Sequence, residues 1–327
     1  MSNANLGYLY NKDFFVGIQL DQKEGNEVQI KSKIKEITQN RVWDEKDTYC
    51  LITIEGHQKN SFKLFTTYPG LLTGAGYEHE IHTKEELKLG FYFDFSSGMP
   101  LLPGSSVKGA IRAAFPNWGK HKNTPDYVKE AKTKLIWHWL NPKIEFDMIN
   151  IYEDEELIKK KVIEIEEAIF EGLFQGKKLG HYQKDVFYDA IIVNPSNYVD
   201  TREQILGTDS ITPHIKEGLS YAESMLKNPV PLPFLKILPG VQFQFQFDLK
   251  PNGLEVEKKI ELFKAILKYN GIGAKTNVGY GNLVDINLTQ KPVNNNSGEL
   301  PPPPTPPAPP PVAPLANKLS SKETALF

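Results

Sequence analysis

The chain has 327 residues, 40% of them hydrophobic and 24% charged, the balance of a globular protein able to bury a sizeable core. A formal net charge of −2 excludes a protein that coats nucleic acid by bulk attraction, and a single cysteine excludes an internal disulfide or a cysteine-based zinc site. The polar N-terminus and the lack of an apolar run of about 18 residues lead us to expect a cytoplasmic chain with no membrane partner.

In chain order, residues 40–48 read as a loop, and the alternating stretch Tyr49 to Ile54 carries Cys50 as a small buried apolar residue. Ser61 to Thr67 is the first core strand and runs into a turn rich in glycine, Gly70 to Gly76. Leu89 to Phe95 alternates as a second strand, broken by Ser96-Ser97-Gly98. Pro100 and Pro103 hold the chain extended, Gly104 turns it, and Ser105 or Ser106 caps a short helix from Val107 to Phe115 that Pro116 stops. Thr124-Pro125-Asp126 opens a helix to about Leu140, and a second inserted helix runs from Glu153 to Phe174 on the stripe Ile158, Val162, Ile165, Ile169 and Leu173. Val186 to Val193 is apolar enough for a central strand. Residues 194–239 lack a regular pattern and are read as a protruding loop insertion.

Val241 to Leu249 alternates Phe against Gln, which predicts an antiparallel strand with one wet, glutamine-lined face. Residues 257–269 form an amphipathic helix with Lys258, Lys259, Lys264 and Lys268 on its polar side, ended at Asn270-Gly271. Val284 to Leu288 is the last strand. Ten of residues 301–314 are proline, so the chain from 290 to 327 is expected to be a disordered, extended tail. A spacer or an adaptor role for that tail stays open.

Two loops carry the chemistry. In the first, Gly98 to Arg112, backbone N–H groups at a helix start, the Ser105 and Ser106 hydroxyls, and Lys108 and Arg112 on one helix face make an anion site. Taken alone, Gly-Ser-Ser reads first as a plain helix cap with two solvated cations beside it. The spacing fails the nucleotide P-loop pattern, which excludes an ATPase reading. In the second, Gly271-Ile272-Gly273-Ala274-Lys275-Thr276-Asn277-Val278-Gly279-Tyr280-Gly281, four glycines cost chain entropy that a simple connector would avoid, although a bulged hairpin is the alternative. Together the loops favour a polyanion with regularly spaced phosphates. That reading requires them to fold next to each other. The surrounding charge is uneven: residues 101–140 hold seven Lys and Arg against two carboxylates, and residues 144–171 hold ten carboxylates against three lysines. Local basic surface is thus compatible with a polyanion groove, while a solvated helix face is the alternative for both runs and the preferred one for the acidic block.

Pro100 to Arg112 and Gly271 to Gly281 resemble the paired elements of the RAMP superfamily of CRISPR systems. Asn5-Leu6-Gly7, Leu72-Thr73-Gly74-Ala75-Gly76, Val186 to Ala190, Asp209 to His214 and Pro229 to Leu235 narrow the resemblance to the tail-end backbone subunit of the type III-B (Cmr) effector. It covers roughly residues 5–289. It implies an α+β chain with a ferredoxin-like (RRM-type) core, a helical insertion over about 120–175 and a loop insertion over about 194–239. The predicted order of strand, helix, two strands, helix, strand agrees with that core. The resemblance also implies a non-catalytic scaffold that binds CRISPR RNA near its 3′ end and helps position target RNA. Its partners would be the repeated backbone subunit, the small helical subunit and the other tail subunit.

The RNA-binding residues expected are Gly104, Ser105, Ser106, Lys108, Arg112, Gly273, Lys275, Thr276, Asn277, Gly279 and Tyr280, with no cofactor and no metal. The rival is an endoribonuclease of the same superfamily, using His79, His82, His214 or Asp189 as base or ligand. Glu78-His79-Glu80-Ile81-His82 lacks the order and the helix of a zinc motif.

Overall fold

The computed structural model describes residues 5–19, 25–39, 60–79, 87–88, 90–118, 124–143, 154–194, 204–211 and 231–285. Helix α1 (Leu6–Asn11) starts where the Asn5 side chain accepts the Tyr8 N–H at 2.9 Å, and α2 (Glu27–Gln39) buries Ile30 and Ile37. Strand β1 (Ser61–Thr66) follows, then β2 (Leu101–Leu102) and α3 (Gly104–Ala113). The predicted inserted helices are α4 (Asp126–Leu140) and α5 (Glu155–Glu166), the second capped by Asp154 and continued as a π-helical turn over Glu167–Glu171. Gly172, at φ 65°, ends it. Short strands β3 (Leu173–Phe174), β4 (Lys177–Lys178) and β5 (Val186–Phe187) precede β6 (Ala190–Asn194), so the expected strand from Val186 to Val193 is interrupted. Then come β7 (Leu206–Ile211), β8 (Leu232–Ile237), β9 (Gln242–Asp248), α6 (Val256–Asn270) and β10 (Leu283–Val284).

The main sheet has the order β10–β1–β9–β6–β2, with β5 also pairing to β9, and every pairing is antiparallel. Helix α3 lies between β1 and β6 in sequence, and α6 between β9 and β10. The two helices pack against each other. β9 is the centre. Phe243, Phe245 and Phe247 are fully buried with Leu262, Phe263 and Ile266 of α6 in one continuous core.

Four expectations change. The glutamine face of β9 is not wet: Gln244 and Gln246 are 7% and 5% exposed. Alternation separates two faces but does not say which of them meets water. Of the strand expected from Leu89 to Phe95, the described residues 90–95 form isolated bridges, Tyr77 with Phe91 and Phe93 with Pro100, rather than a strand. Part of the insertion at 194–239 is regular: β7 and β8 pair over six residues from Leu206 opposite Ile237 to Ile211 opposite Leu232. Gly207, Asp209 and Pro233 suppress the usual strand signal, and a two-stranded ribbon tolerates them because both strands are edges. The stretch 212–230 with His214, the stretch 40–59 with Cys50, and the tail lie outside the described residues.

Fourth, Lys259 is not on a polar face. Its ammonium is fully buried, 2.6 Å from Asp185 Oδ2, and donates also to the Lys250 carbonyl at 2.6 Å. Asp185 Oδ1 accepts the Lys250 N–H at 2.8 Å. Burial pushes the Asp185 carboxyl up and the Lys259 ammonium down, each against the pull of its partner. The pair ties α6 to the segment entering β5, so that helical periodicity alone misassigns the lysine. Asp185→Ala should cost about 3–5 kcal/mol in chemical denaturation, because it leaves Lys259 buried and uncompensated. Asp185→Leu with Lys259→Met should recover part of that loss, because it removes the buried charge but leaves the Lys250 N–H and carbonyl without these partners; a double variant less stable than the single one contradicts the account.

Candidate nucleic-acid interface

The first loop differs from expectation at its centre. Helix α3 begins at Gly104, with Pro103 at the cap, so Ser105 and Ser106 lie inside the first turn and make no side-chain cap bond. Gly104 is required by packing: a Cβ there would sit 2.2 Å from the Phe187 carbonyl oxygen. Its N–H donates to Asp189 Oδ1 at 2.7 Å. The Ser106 and Val107 N–H groups donate to the Pro103 carbonyl at 2.8 and 3.0 Å. The helix start does hold an anion, as its dipole favours, but that anion is the protein's own carboxylate. Arg112 is ion-paired with Glu171, its guanidinium 5.7 Å from the centre of the Phe170 ring. Lys108 lies over Phe187 at 5.6 Å. Among the first group, Ser105 stays exposed, and Ser106 and Lys108 are half-buried.

The second loop is built to be presented. Helix α6 closes with the Gly271 N–H on the Leu267 carbonyl at 3.0 Å. Ala274 N–H then donates to Leu72 O at 2.8 Å, Gly281 N–H to Gly70 O at 2.8 Å, and Thr67 N–H to Asn282 O at 3.1 Å. Gly273 lets the two chains touch, since a Cβ would stand 2.1 Å from the Leu72 oxygen. Lys275 occupies the left-handed region at φ 60°, ψ 34°, ahead of a one-turn 3-10 helix over Thr276–Val278. Lys275 and Thr276 are half-exposed, and Asn277 and Val278 are exposed.

Tyr280 is not on that surface. It is buried against Phe234 and Leu72, and its hydroxyl donates to Asp209 Oδ2 at 2.8 Å. The same oxygen accepts from Lys236 Nζ at 2.6 Å. Burial raises the Tyr280 phenol well above its ordinary range, and the hydrogen bond to Asp209 raises it further. Burial alone would raise the Asp209 carboxyl too, but bonds from Lys236 and Tyr280 overcome this and hold it below the usual carboxylate range. Asp209 on β7 and Lys236 on β8 therefore lock the ribbon onto the glycine turn. The sequence carries no signal for this triad, whose members are up to 71 residues apart.

The two loops do not meet. β2, which feeds α3, and β10, which receives the glycine turn, are opposite edges of the main sheet. Four strand spacings separate them, roughly 19 Å at about 4.8 Å each. They are also at different ends of the strands: Gly104 lies by Phe187, which pairs with Phe247, whereas the turn enters beside Thr66, next to the start of β9. The expectation of one joint grip on a single stretch of phosphates is thereby overturned.

A family model described as the RAMP superfamily matches residues 63–284. The chain belongs to the RAMP superfamily. It is 30% identical over 247 residues to the CRISPR system Cmr subunit Cmr6 of Pyrococcus furiosus, covering 68% of this chain and 66% of that protein, just under two thirds of its length. Among solved structures, the type III-B Cmr-beta complex bound to cognate target RNA aligns at a TM-score of 0.48 and 20% identity, covering 84% of this chain and 83% of that one. The crystal structure of Cmr6 from Pyrococcus furiosus aligns at 0.35 and 23%, covering 70% and 99%. The RAMP match contains both glycine loops, the inserted helices and the β7–β8 ribbon.

Within this RAMP chain the described candidates for catalysis are tied to structure. His79 Nε2 is 2.9 Å from the Tyr10 carbonyl, and its ring centre is 4.1 Å from that of Tyr10 and 3.9 Å from that of Phe14. Asp189 holds Gly104. No group of three His, Cys, Asp or Glu able to hold a metal occurs among the described residues, and His82 and His214 lie outside them. No helix among the described residues is long and apolar enough to cross a membrane.

The Asp209 triad yields a pH prediction. A carboxyl whose folded pKa is depressed contributes stability that is present above its unfolded value, about 3.9, and lost as pH falls through the lower folded value. Wild type should therefore lose stability faster than Asp209→Asn between about pH 4 and pH 2 in urea titrations. Parallel curves contradict the lock. At neutral pH, Tyr280→Phe should cost about 1–3 kcal/mol, since it removes a hydrogen bond to a charged acceptor.

Proposed function

We propose that this chain is a non-catalytic RNA-binding scaffold subunit of a type III-B CRISPR effector. It grips the CRISPR RNA backbone near its 3′ end and helps position target RNA in antiviral defence. Its partners are the two RNAs, the repeated backbone subunit, the small helical subunit and the other tail subunit, in the cytoplasm. Membership of the RAMP superfamily and the identity to Cmr6 support the assignment.

The antiparallel order β10–β1–β9–β6, with a helix in each of the two crossovers, supports a ferredoxin-like core. That core sits within a single RAMP domain over residues 1–289, followed by the proline-rich tail.

One observation carries the RNA-binding reading. Lys275 is held half-exposed in a left-handed conformation, which costs a β-unbranched side chain of order 1 kcal/mol, just ahead of the exposed apex, Asn277 and Val278, of a turn clamped from beneath. A glycine or asparagine would hold that conformation more easily, so the cation is kept there against local preference. Lys275, Thr276, Asn277 and the backbone from Gly273 to Gly279 form the contact surface. Gly104 and Tyr280 support the fold beneath, and Ser105, Ser106 and Lys108 add a separate, weaker phosphate contact across the sheet. Contacts of this kind give affinity without sequence choice.

Lys275→Gly should leave thermal stability unchanged or raised by up to about 1 kcal/mol, because it removes the backbone strain. It should also weaken binding of a labelled CRISPR RNA 3′ fragment and lower the slope of log K against log salt by about 0.7. Fluorescence anisotropy across a salt series reads both quantities; an unchanged slope refutes the assignment.

A further inference from the structure

The segment Gly172–Lys184 takes no part in the grip just described. It comprises the β3–β4 ribbon and a one-turn 3-10 helix over His181–Gln183. Backbone and side chain fix it to the body. The Leu179 N–H donates to the Gly172 carbonyl at 2.7 Å, the Gly180 N–H to Gln183 Oε1 at 2.9 Å, and Asn252 Nδ2 to the Gln183 carbonyl at 2.7 Å. Gly172 makes room for the stem of Lys184, whose Cε would lie 2.7 Å from a Cβ at that position.

Three lysines lie in this segment, Lys177, Lys178 and Lys184, and it contains no Asp or Glu. The carboxylates that bound it are both engaged elsewhere: Glu171 pairs with Arg112, and Asp185 with Lys259. None of the three ammonium groups forms an ion pair among the described residues. Between them stands Tyr182, 89% exposed, edge-on to His181 with ring centres 5.6 Å apart. An aromatic ring so fully solvated gains nothing for the fold.

We infer that Gly172–Lys184 is a second contact for single-stranded nucleic acid, with the lysines on phosphates and the Tyr182 ring on a base. Unneutralised lysines flanking an exposed aromatic are what a flexible polyanion with flat bases needs. An acidic polypeptide would use the lysines and leave the ring without a purpose. The contact stands apart from the Lys275 turn, so one strand touching both would be held at two points.

Anisotropy of a labelled oligouridylate with the full chain, across a salt series, tests this. Lys177→Ala with Lys178→Ala should lower the salt slope by about 1.4, at about 0.7 for each phosphate released. Tyr182→Ala should weaken binding about 5- to 100-fold with the slope unchanged. Photocrosslinking should map a uridine to Tyr182 by mass spectrometry. All three positions are on the surface, and matching melting curves will establish that the variants fold. If both variants bind like wild type and no crosslink falls within 172–184, while Lys275→Gly still weakens binding, this contact is refuted and the proposed function stands. Wild type failing to bind at low salt refutes both. Loss of poly-glutamate binding with RNA binding intact refutes it in favour of an acidic protein partner.

Discussion

Three backbone hydrogen bonds, Ala274 to Leu72, Gly281 to Gly70 and Thr67 to Asn282, hold the glycine turn in place, and the candidate interface exists only while they do. They join segments as much as 215 residues apart in sequence, so their loop-closure cost falls on the assembly of the whole sheet. β10 pairs with β1 through Phe65 opposite Val284 and Thr66 opposite Leu283, immediately beyond the clamp. The turn is thus the outward end of an edge-strand pairing. Its left-handed Lys275 and positive-φ Gly273, Gly279 and Gly281 follow from the need to fold ten residues back onto Leu72 without leaving the sheet. Site and core form one cooperative unit here, and strain at the site is offset by burial beneath it.

The Gly70–Gly76 loop has a matching role. A Cβ at Gly74 would lie 2.5 Å from that of Ala274, and one at Gly76 2.2 Å from the Phe91 carbonyl oxygen. Two glycine-rich segments therefore face each other, and each is small so that the other can approach. The β7–β8 ribbon closes the arrangement from the side through Leu71 bridged to Ile237 and through the Tyr280–Asp209–Lys236 triad. The buried phenol thus ties the ribbon to the turn.

Local periodicity made much of the fold legible. β1, β9, α4 and α6 are strong because apolar residues recur at one period along each, over six and seven residues in the strands and 15 in each helix, and the stop at Gly271 follows from its positive φ. What stayed hidden was anything that depends on pairing across the chain. Lys259 falls on the polar stripe of α6 by spacing, yet is the most buried lysine described, because Asp185 meets it from a segment 74 residues away. The β7–β8 ribbon is built from residues that disfavour strands, and its cross-strand hydrogen bonds leave no mark in either half alone. At the start of α3 the Gly104 N–H is taken by a carboxylate of the protein itself. A sequence shows that a helix start wants a negative partner, but it cannot show that Asp189, 85 residues on, supplies it. The separation of the two loops was hidden for the same reason, since strand order is a property of the sheet and not of either motif.

Charge is distributed so that a chain of net −2 can still present cationic surface. Beyond about 8 Å at physiological salt, the sum of the charges matters little to an incoming strand. What matters is which ions remain uncompensated within that distance. Asp185, Asp189, Glu171 and Asp209 are each engaged with a lysine, an arginine or a backbone N–H, and each is thereby withdrawn from the outer field. Their partners, Lys259, Arg112 and Lys236, are withdrawn with them. Lys275 and the lysines of Gly172–Lys184 form no ion pair among the described residues. Counting charges by sequence window, which made residues 101–140 the basic region, therefore overstates Arg112 and overlooks Lys177 and Lys178, because pairing rather than density decides where a phosphate is attracted.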